Sequence, residues 1–342
     1  MEEQIKQLIE KAVSILVTSH ISPDPDAVSS ALLIGETLKL NYPDKKVQVV
    51  LEEKLDRDLD FLAGFNEVDF SNLAAAVQKF KPDLFIITDA NTYKRVSRLN
   101  SEDLKKYIES NKVKTAIIDH HEPHDKEQTD VFINNGNPAA VQDVYETFFK
   151  ELGFKKPEGY VDMTLLGIIS DSLRFKYKNA RHRETFAIVS DLIDAGGDIE
   201  ALEAKLASYT KDQLEVFAHL ALNFRSANDY NYTFVSDEFA KKWQTAGKSP
   251  PDFKSGCEIF VNQYIRDVAP NTWGFVVYQD MQSVERSYAV SLRSRAGSKD
   301  VSLIGKELGG GGHKPAAGAR FQANSVEDAV AKVKEAITES VS

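Results

Sequence analysis

The sequence predicts an α/β protein with two domains: an N-terminal domain on a doubly wound, mainly parallel sheet, and a smaller mixed α/β C-terminal domain. In the first half, short β-branched runs alternate with helical patterns, which is typical of parallel sheets. After about residue 227, strand patterns predominate. We therefore assign residues 1–190 to the first domain, 191–226 to a helical connector and 227–342 to the second domain.

Four apolar runs define the strands expected in the first domain. They are Ser14–Thr18, Val47–Leu51, Leu84–Thr88 and Thr115–Ile118. Helical patterns separate the runs, and one of them covers Ala27–Leu40. A further helical pattern, VDMTLLGIISD, ends at Asp171. These elements complete the alternation that predicts the parallel sheet.

The connector and the second domain have different patterns. Between residues 183 and 225 the sequence is helical, with a break at Gly196–Gly197. Strand patterns then begin at Tyr232, Gly274 and Tyr288. The glycine-rich stretch GGGGHKPAAGAR follows at Gly309–Arg320. By itself this stretch fits a flexible linker or a phosphate-binding turn about equally well.

Composition limits the class of partner. The 342 residues are 42% hydrophobic and 27% charged, as in soluble globular proteins. No apolar run approaches the ~20 residues of a membrane span, and the N-terminus lacks the basic region of a secretory signal, so we expect a cytoplasmic protein without membrane contact. The net charge of −10 argues against binding long duplex nucleic acid. Cys257, the single cysteine, excludes an internal disulfide and is expected to be a small buried hydrophobe.

Polar side chains follow three of the predicted strands directly. They are His20, Asp24 and Asp26 after the first strand, Asp89 after the third, and Asp119, His120 and His121 after the fourth. Ligands of open α/β sheets bind at the carboxyl ends of the strands. We therefore expect these side chains to converge on one crevice, joined by Asp171 from the helix that it ends.

The residue types in this crevice favour a divalent metal centre. The candidate ligands are His20, Asp24, Asp26, Asp89, His120 and Asp171. Carboxylate and imidazole without sulfur suit Mn²⁺ or Mg²⁺, and the two histidines favour Mn²⁺. Four carboxylates balance the charge of two divalent ions, and two such ions can activate water and clamp a phosphoryl group. The sequence thus predicts phosphoester hydrolysis.

Each motif also has a purely structural interpretation. SPDPD is by itself more typical of a turn or a helix N-cap, and Asp26 is a candidate cap as well as a metal ligand. Asp89 alone could cap a helix. His124 fits a solvated loop, and His182 and His219 lie outside the clusters, so surface or core positions are expected for both. The joint occurrence of the motifs favours the metal centre.

The order of these motifs resembles the DHH phosphoesterase superfamily with its DHH-associated C-terminal domain. The resemblance rests on SHISPDPDA, the strand ending in Asp89, the Asp119-His120-His121 triplet, Asp171 and GGGGHKPAAG, and it covers nearly the whole chain. It implies that the active site lies in the cleft between the domains. It also implies that His20 and Asp24 hold one metal, that Asp26, His120 and Asp171 hold the other, and that Asp89 bridges both.

The resemblance implies further roles. His121 would contact the scissile phosphate or assist proton transfer, and Asp119 would orient the histidines. In the second domain, the residues expected to grip the distal nucleotide or phosphate are Arg293, Gly310, Gly311, Gly312 and His313. Arginine offers a bidentate fork to phosphate, and glycines let backbone N–H groups approach an anion.

The substrate class implied is a nucleotide. Similar two-domain chains are nanoRNases, which degrade very short RNA and often dephosphorylate 3′-phosphoadenosine 5′-phosphate; related members cleave cyclic or linear dinucleotides. We favour short oligoribonucleotides, because an acidic chain without a basic track suits small substrates. A nucleotide-binding regulator without catalysis is the alternative from another class. A homodimer is one oligomeric state that we consider, and oligomer length and base preference stay open.

Two departures from the family pattern stand out. Ser29 replaces a usual glycine in the first motif, so the entry of the helix is expected to differ slightly. Ala139–Asp143, with the sequence AAVQD, replaces a run rich in serine and threonine and removes hydroxyls that would cap or line the site.

Overall fold

The computed structural model describes residues 1–54, 59–97, 99–121, 126–176, 180–206, 209–281, 283 and 286–340, with Leu206 and His313 described by their backbone alone. His124, expected in a solvated loop, lies outside these residues. The chain divides into two compact units, residues 1–206 and 207–342. Residues 191–226 are shared between the two units, and the division at residues 190 and 227 stays a prediction.

The first unit contains a parallel sheet. Its strands are β1 Ser14–Thr18, β2 Lys46–Leu51, β3 Asp69–Phe70, β4 Leu84–Thr88, β5 Lys114–Ile118 and β6 Val131–Ile133. They lie in the order β3-β2-β1-β4-β5-β6, and every pair is parallel. The four predicted strands are present, and the short strands β3 and β6 extend the sheet at its two edges. The doubly wound α/β fold is confirmed.

Helices connect these strands. They are α1 Glu2–Lys11, α2 Pro25–Asn41, α3 Leu73–Phe80, α4 Tyr93–Val96, α5 Ser101–Ser110, α6 Ala140–Tyr145, α7 Tyr160–Asp171, α8 His182–Asp194 and α9 Ile199–Leu206. A 3-10 turn covers Phe65–Glu67, and a π-helix, Glu146–Glu151, continues α6. The predicted helix Ala27–Leu40 lies within α2.

The sheet is buried on both faces because successive side chains of a strand point to opposite sides. Ile15 and Val17 of β1 belong to one apolar core, together with residues of α2 and α7. Leu16, between them, belongs to a second core with residues of α3 and α5. This two-sided burial explains why the strands are continuous apolar runs rather than alternating patterns.

The second unit contains a mixed sheet. Its strands are β7 Arg225–Ser226, β8 Asn231–Phe234, β9 Trp273–Gln279, β10 Ser287–Ser294, β11 Gly311–His313 and β12 Ala316–Gln322. Their order is β11-β12-β10-β9-β8-β7, with β8 and β9 parallel and the other pairs antiparallel. The helices are α10 Lys211–Leu222, α11 Asp237–Thr245, α12 Pro250–Gln263, α13 Val301–Glu307 and α14 Val326–Glu339. The predicted mixed α/β character is confirmed.

Two isolated side chains behave as expected. Cys257 is fully buried in the core of the second unit, where burial raises the pKa of its thiol well above the usual value. His219 on α10 stacks on Phe239 and accepts a hydrogen bond from the backbone N–H of Ser236. Among the described residues, no helix combines the length and the apolar character needed to cross a bilayer.

Candidate metal centre

The loop after β1 is held by long-range hydrogen bonds. The backbone N–H of Ile21 donates to the carbonyl of Arg95 at 2.7 Å. Ser22 has a left-handed backbone, with φ of 53°, and its N–H and hydroxyl both donate to Oε2 of Glu53, at 2.9 and 2.8 Å. These bonds fix the start of the loop that carries His20, Asp24 and Asp26.

The prolines and aspartates of this loop begin α2. Pro25 is its first residue, and Asp24 is its N-cap, accepting from the N–H of Ala27 at 3.0 Å. The expectation that Asp26 caps this helix is therefore wrong. Asp26 instead lies in the first turn, fully buried, and accepts from the N–H groups of Ala140 at 2.7 Å and Val141 at 3.1 Å, at the start of α6.

Those two bonds lie at one of the departures from the family pattern. The AAVQD segment lacks hydroxyls at the start of α6, and the Asp26 carboxylate satisfies backbone N–H groups there. Ser29, the other departure, is buried inside α2, one turn beyond its N-cap.

Asp89 lies at the centre of the polar crevice. It follows β4 directly, has a left-handed backbone with φ of 54° and is 1% exposed. Its Oδ2 is 3.2 Å from Nε2 of His20, and its Oδ1 is 3.3 Å from Nε2 of His120. One carboxylate thus contacts a histidine on either side.

The other predicted residues surround Asp89. Nε2 of His120 is 3.1 Å from Oδ2 of Asp171, the last residue of α7. Nδ1 of His121 lies 2.8 Å from Oδ1 of Asp119, which is completely buried. The carboxyl ends of β1, β4 and β5 and of α7 therefore bring all eight predicted side chains together.

Two groups of three residues have the spacing of metal ligands. His20, Asp24 and Asp89 form one, and Asp26, His120 and Asp171 form the other; within each group the ligand atoms lie within 4.8 Å of one another. A third group, Asp89, Asp119, His120 and His121, has the same spacing, so Asp89 is grouped with His20 and Asp24 and also with His120.

Unsatisfied atoms in the cluster test whether a cation fits. Oδ1 of Asp89 and Nε2 of His120 are buried, yet among the described residues neither has a hydrogen bond of good geometry. Buried polar atoms without partners are rare in folded proteins. Here they converge with carboxylates on one small volume, so the donor set fits a divalent cation.

The charges of the cluster shift its pKa values. Burial, with the nearby charge of Asp89, raises the pKa of Asp26 well above its usual range. Burial also raises the pKa of Asp171 to about 7. Burial opposes the charge of His20, but contacts with Asp89 outweigh it and raise the pKa of His20 to about 9. Without a cation, protons compensate the crowded carboxylates.

Sequence reasoning missed the residues that support His121. Nδ2 of Asn134 donates to the carbonyl of His121 at 2.7 Å. The neighbouring N–H of Asn135 donates to Oδ1 of Asp143 at 2.9 Å, and burial raises the pKa of Asp143 to about 7. Asp143 belongs to the AAVQD segment, but nothing in the local pattern indicates a contact eight residues away.

The predicted substrate residues of the second unit lie on its sheet. Nε of Arg293, on β10, donates to Oδ1 of Asn262 at 2.8 Å, and Nη1 donates to the carbonyl of Leu292 at 2.9 Å. The register pairs Arg293 with Ala316, and Ala316 with His313, so the three residues occupy one line across three strands.

The glycine run is part of regular structure. The N–H groups of Gly309 and Gly310 donate to the carbonyls of Lys306 and Gly305 and end α13. Gly311 and Gly312 continue into β11, which pairs with β12. A Cβ at Gly310 would overlap the carbonyl oxygen of Gly318, so this position requires glycine. The flexible-linker interpretation is therefore wrong.

Sequence profiles of two domain families match this chain. The profile described as the DHH family, N-terminal domain, matches residues 14–168, and the DHHA1 domain profile matches residues 255–339. The first match includes every predicted ligand except Asp171, and the second includes Arg293 and the glycine run. The predicted family resemblance is confirmed.

Similar proteins cover nearly the whole chain. One from Streptococcus mutans, named probable bifunctional oligoribonuclease and PAP phosphatase NrnA, is 26% identical over 90% of this chain and 89% of its own length. The Bacillus subtilis protein named bifunctional oligoribonuclease and PAP phosphatase NrnA is 24% identical over 93% of both chains. A probable manganese-dependent inorganic pyrophosphatase from Staphylococcus carnosus is 26% identical over 64% of this chain and 68% of its own.

A solved structure supports the fold. The exopolyphosphatase-related protein from Bacteroides fragilis has a TM-score of 0.82 with 22% identity, covering 99% of this chain and 95% of that one. At this identity the similarity concerns the fold alone. The profile matches and the relatives lead to one conclusion: the chain contains a DHH family N-terminal domain followed by a DHHA1 domain, and it is a phosphoric ester hydrolase.

Proposed function

We propose that this enzyme hydrolyses very short oligoribonucleotides and 3′-phosphoadenosine 5′-phosphate with two divalent metal ions, Mn²⁺ being preferred. The observation that carries the proposal is the pair of ligand groups, His20-Asp24-Asp89 and Asp26-His120-Asp171, on either side of the Asp89–His120 contact. The names of the two NrnA relatives support the substrate class, and that of the pyrophosphatase supports manganese.

The metal assignment gives each ligand a role. His20 and Asp24 would hold one ion, Asp26, His120 and Asp171 the other, and Asp89 would bridge them. Oδ1 and Oδ2 of Asp89 face different histidines, which suits a bridging carboxylate. When bound, the two ions supply an activated water and neutralise charge on the phosphoryl group.

His121 is proposed to contact the scissile phosphate or to assist proton transfer. Asp119 accepts from Nδ1 of His121 at 2.8 Å and so fixes the tautomer with its proton on Nδ1. The basic Nε2 can then exchange a proton with a phosphate or leaving-group oxygen. The His121 side chain is 26% exposed, whereas Asp119 is fully buried, which fits a contact residue and its orienting partner.

The second unit is proposed to grip the distal part of the substrate. Asn262 holds Nε of Arg293 and so limits the orientations of its guanidinium group. Gly310, Gly311, Gly312 and His313 complete the proposed grip. A cytoplasmic location, a homodimer and an active site in a cleft between the domains remain predictions from the sequence.

A substrate panel tests the proposal. The dinucleotide pApA, 3′-phosphoadenosine 5′-phosphate, cyclic di-AMP, pyrophosphate and a long RNA would each be assayed with Mn²⁺, with Asp171→Ala as the inactive control. We expect the highest kcat/KM for pApA, followed by 3′-phosphoadenosine 5′-phosphate. A clear preference for pyrophosphate, long RNA or cyclic di-AMP would contradict the proposed substrate. Absence of turnover on the whole panel would favour the non-catalytic regulator.

A further inference from the structure

The segment that follows the ligand Asp171 has an unusual backbone. Leu173, Arg174 and Phe175 are consecutive non-glycine residues with left-handed φ values of 47°, 58° and 61°. This conformation is unfavourable for residues with a Cβ and rarely occurs in a run. Residues held in such a conformation often lie at ligand-binding sites.

Contacts on both sides hold this left-handed turn. Nε of Arg174 donates to Oε2 of Glu203 on α9 at 2.8 Å. The N–H of Phe175 donates to Oγ of Ser172 at 3.0 Å, and the Phe175 ring packs against the core of the first unit. The turn therefore presents Phe175 in a fixed position.

Phe175, which is partly buried, forms a pair of aromatic rings with the exposed Phe186. Its ring centroid lies 5.0 Å from that of Phe186 on α8, with 35° between the ring planes. Phe186 is 49% exposed, although it is a large apolar side chain. Phe175 supports one side of the Phe186 ring, and the exposed part of the pair offers aromatic surface to a ligand.

The charge around the pair favours an anionic ligand. From Arg174 to Arg183 the sequence contains five cationic and no acidic residues, in a chain of net charge −10. Arg174 and Arg181 form ion pairs with Glu203 and Glu146. Lys176 and Arg183, which lie between Phe175 and Phe186 in the sequence, are exposed. Aromatic rings close in the sequence to exposed cations are a combination that binds nucleotides, by stacking on the base and attraction of the phosphate.

Phe175 is close in the sequence to a ligand of the proposed metal centre. Phe175 is four residues after Asp171, so its Cα lies at most ~14 Å from that of Asp171 even in an extended chain, and the turn shortens this distance. One nucleoside can bridge such a gap. Resting on the proposed function, we infer that the Phe175–Phe186 pair is a base-stacking subsite for a nucleoside attached to the phosphate at the metal centre.

The test compares substrates with and without a base. Phe186→Leu keeps apolar bulk on Phe175 but removes the aromatic face, and Phe186→Trp restores one. Ile193→Ala is the matched control, because Ile193 is 47% exposed on the same helix. KM and kcat would be measured with Mn²⁺ for pApA and for two abasic analogues of it. One analogue lacks the base of the first nucleotide, and the other lacks the base of the second nucleotide.

Stacking that is equal in the ground and transition states changes KM rather than kcat. We expect Phe186→Leu to raise KM for pApA by about 5- to 150-fold, the range for loss of one stacked base. For the analogue that lacks the stacked base, Phe186→Leu should not change KM. Phe186→Trp and Ile193→Ala should resemble the wild type.

Two results would overturn the inference in distinguishable ways. If the wild type cleaves pApA and Phe186→Leu has the same KM, or loses affinity equally for pApA and both abasic analogues, the stacking subsite is wrong and the proposed function stands. If the wild type cleaves no dinucleotide, the proposed function is wrong, and the subsite with it.

Discussion

Gly167→Ala should weaken metal binding although alanine is the better helix former. Gly167 lies in α7, where it faces Asp26 of α2. A Cβ at this position would lie 2.5 Å from Oδ1 of Asp26 and 2.7 Å from Cγ1 of Val141. Because Asp26 is also held by two N–H groups of α6, its carboxylate has little freedom to move away.

The expected magnitude follows from two opposing terms. Alanine gains about 1 kcal/mol of helix propensity over glycine, whereas overpacking a core costs about 1–3 kcal/mol. The two terms leave a net loss of up to about 2 kcal/mol, which would lower Tm by up to about 8 °C for a unit of this size. Displacement of a ligand carboxylate should reduce the affinity for one divalent ion by about 10–100-fold.

Gly35→Ala is the matched control. Its Cβ would lie 2.6 Å from Cγ2 of Val49, on a neighbouring strand and away from the ligands. Thermal unfolding with chelator measures stability, and titration calorimetry with Mn²⁺ measures affinity. We expect both variants to unfold earlier, but Gly167→Ala alone to lose metal affinity. Equal affinity in the two variants would refute the close packing of Gly167 against a metal ligand.

Four further outcomes are expected. Activity should disappear with chelator and return with Mn²⁺ or Mg²⁺; full turnover in metal-stripped protein would exclude a metal mechanism. Asp89→Ala should reduce activity more than loss of a ligand to one ion, and metal analysis that still found two tightly bound ions would exclude bridging. Arg293→Ala should lower kcat/KM for a dinucleotide about 10–100-fold, since a charge-assisted contact contributes about 1.5–3 kcal/mol, and should have little effect on the hydrolysis of bis-p-nitrophenyl phosphate. Asp171→Ala should lower the activity on both substrates. Equal effects of the two variants on the two substrates would contradict the separation of substrate grip from metal chemistry. Burial raises the pKa of Asp143 in the folded state to about 7, above the ordinary aspartate value of 3.8. Between these values the folded state holds the extra proton, so its stability falls as pH rises, by at most about 1.4 kcal/mol per pH unit. In chelator, denaturation should show Asp143→Asn gaining stability over wild type from pH 5 to pH 8, and a pH-independent difference would contradict the shift.

Local sequence patterns predicted the elements that position most of the ligands. β1 and β4 are fully buried, β5 is buried except for Lys114, and each of the three leads directly into a ligand-bearing loop. β3 and β6 have two and three residues, too few to show any periodicity. Their place in the sheet depends on pairing with neighbours that are distant in the sequence.

Several contacts of the site that were missed are non-local. Asp26 bonds the N–H of Ala140, 114 residues away, so no window of sequence distinguishes this carboxylate from a helix cap. The Ser22–Glu53 and Asn134–His121 bonds likewise join different loops. Motif order could identify which residues are ligands, but only the fold shows what holds them.

The left-handed backbone of Asp89 limits which residue types are tolerated at this position. Alanine and glutamate are disfavoured at a φ of 54°, glycine has no ligand atom, and asparagine tolerates the backbone but brings no charge. Aspartate alone combines a tolerated left-handed conformation with two anionic oxygens on a short stem. Relatives that keep two ions should therefore show no variation at this position, whereas a relative with asparagine or glycine there would keep the fold and lose the metal chemistry.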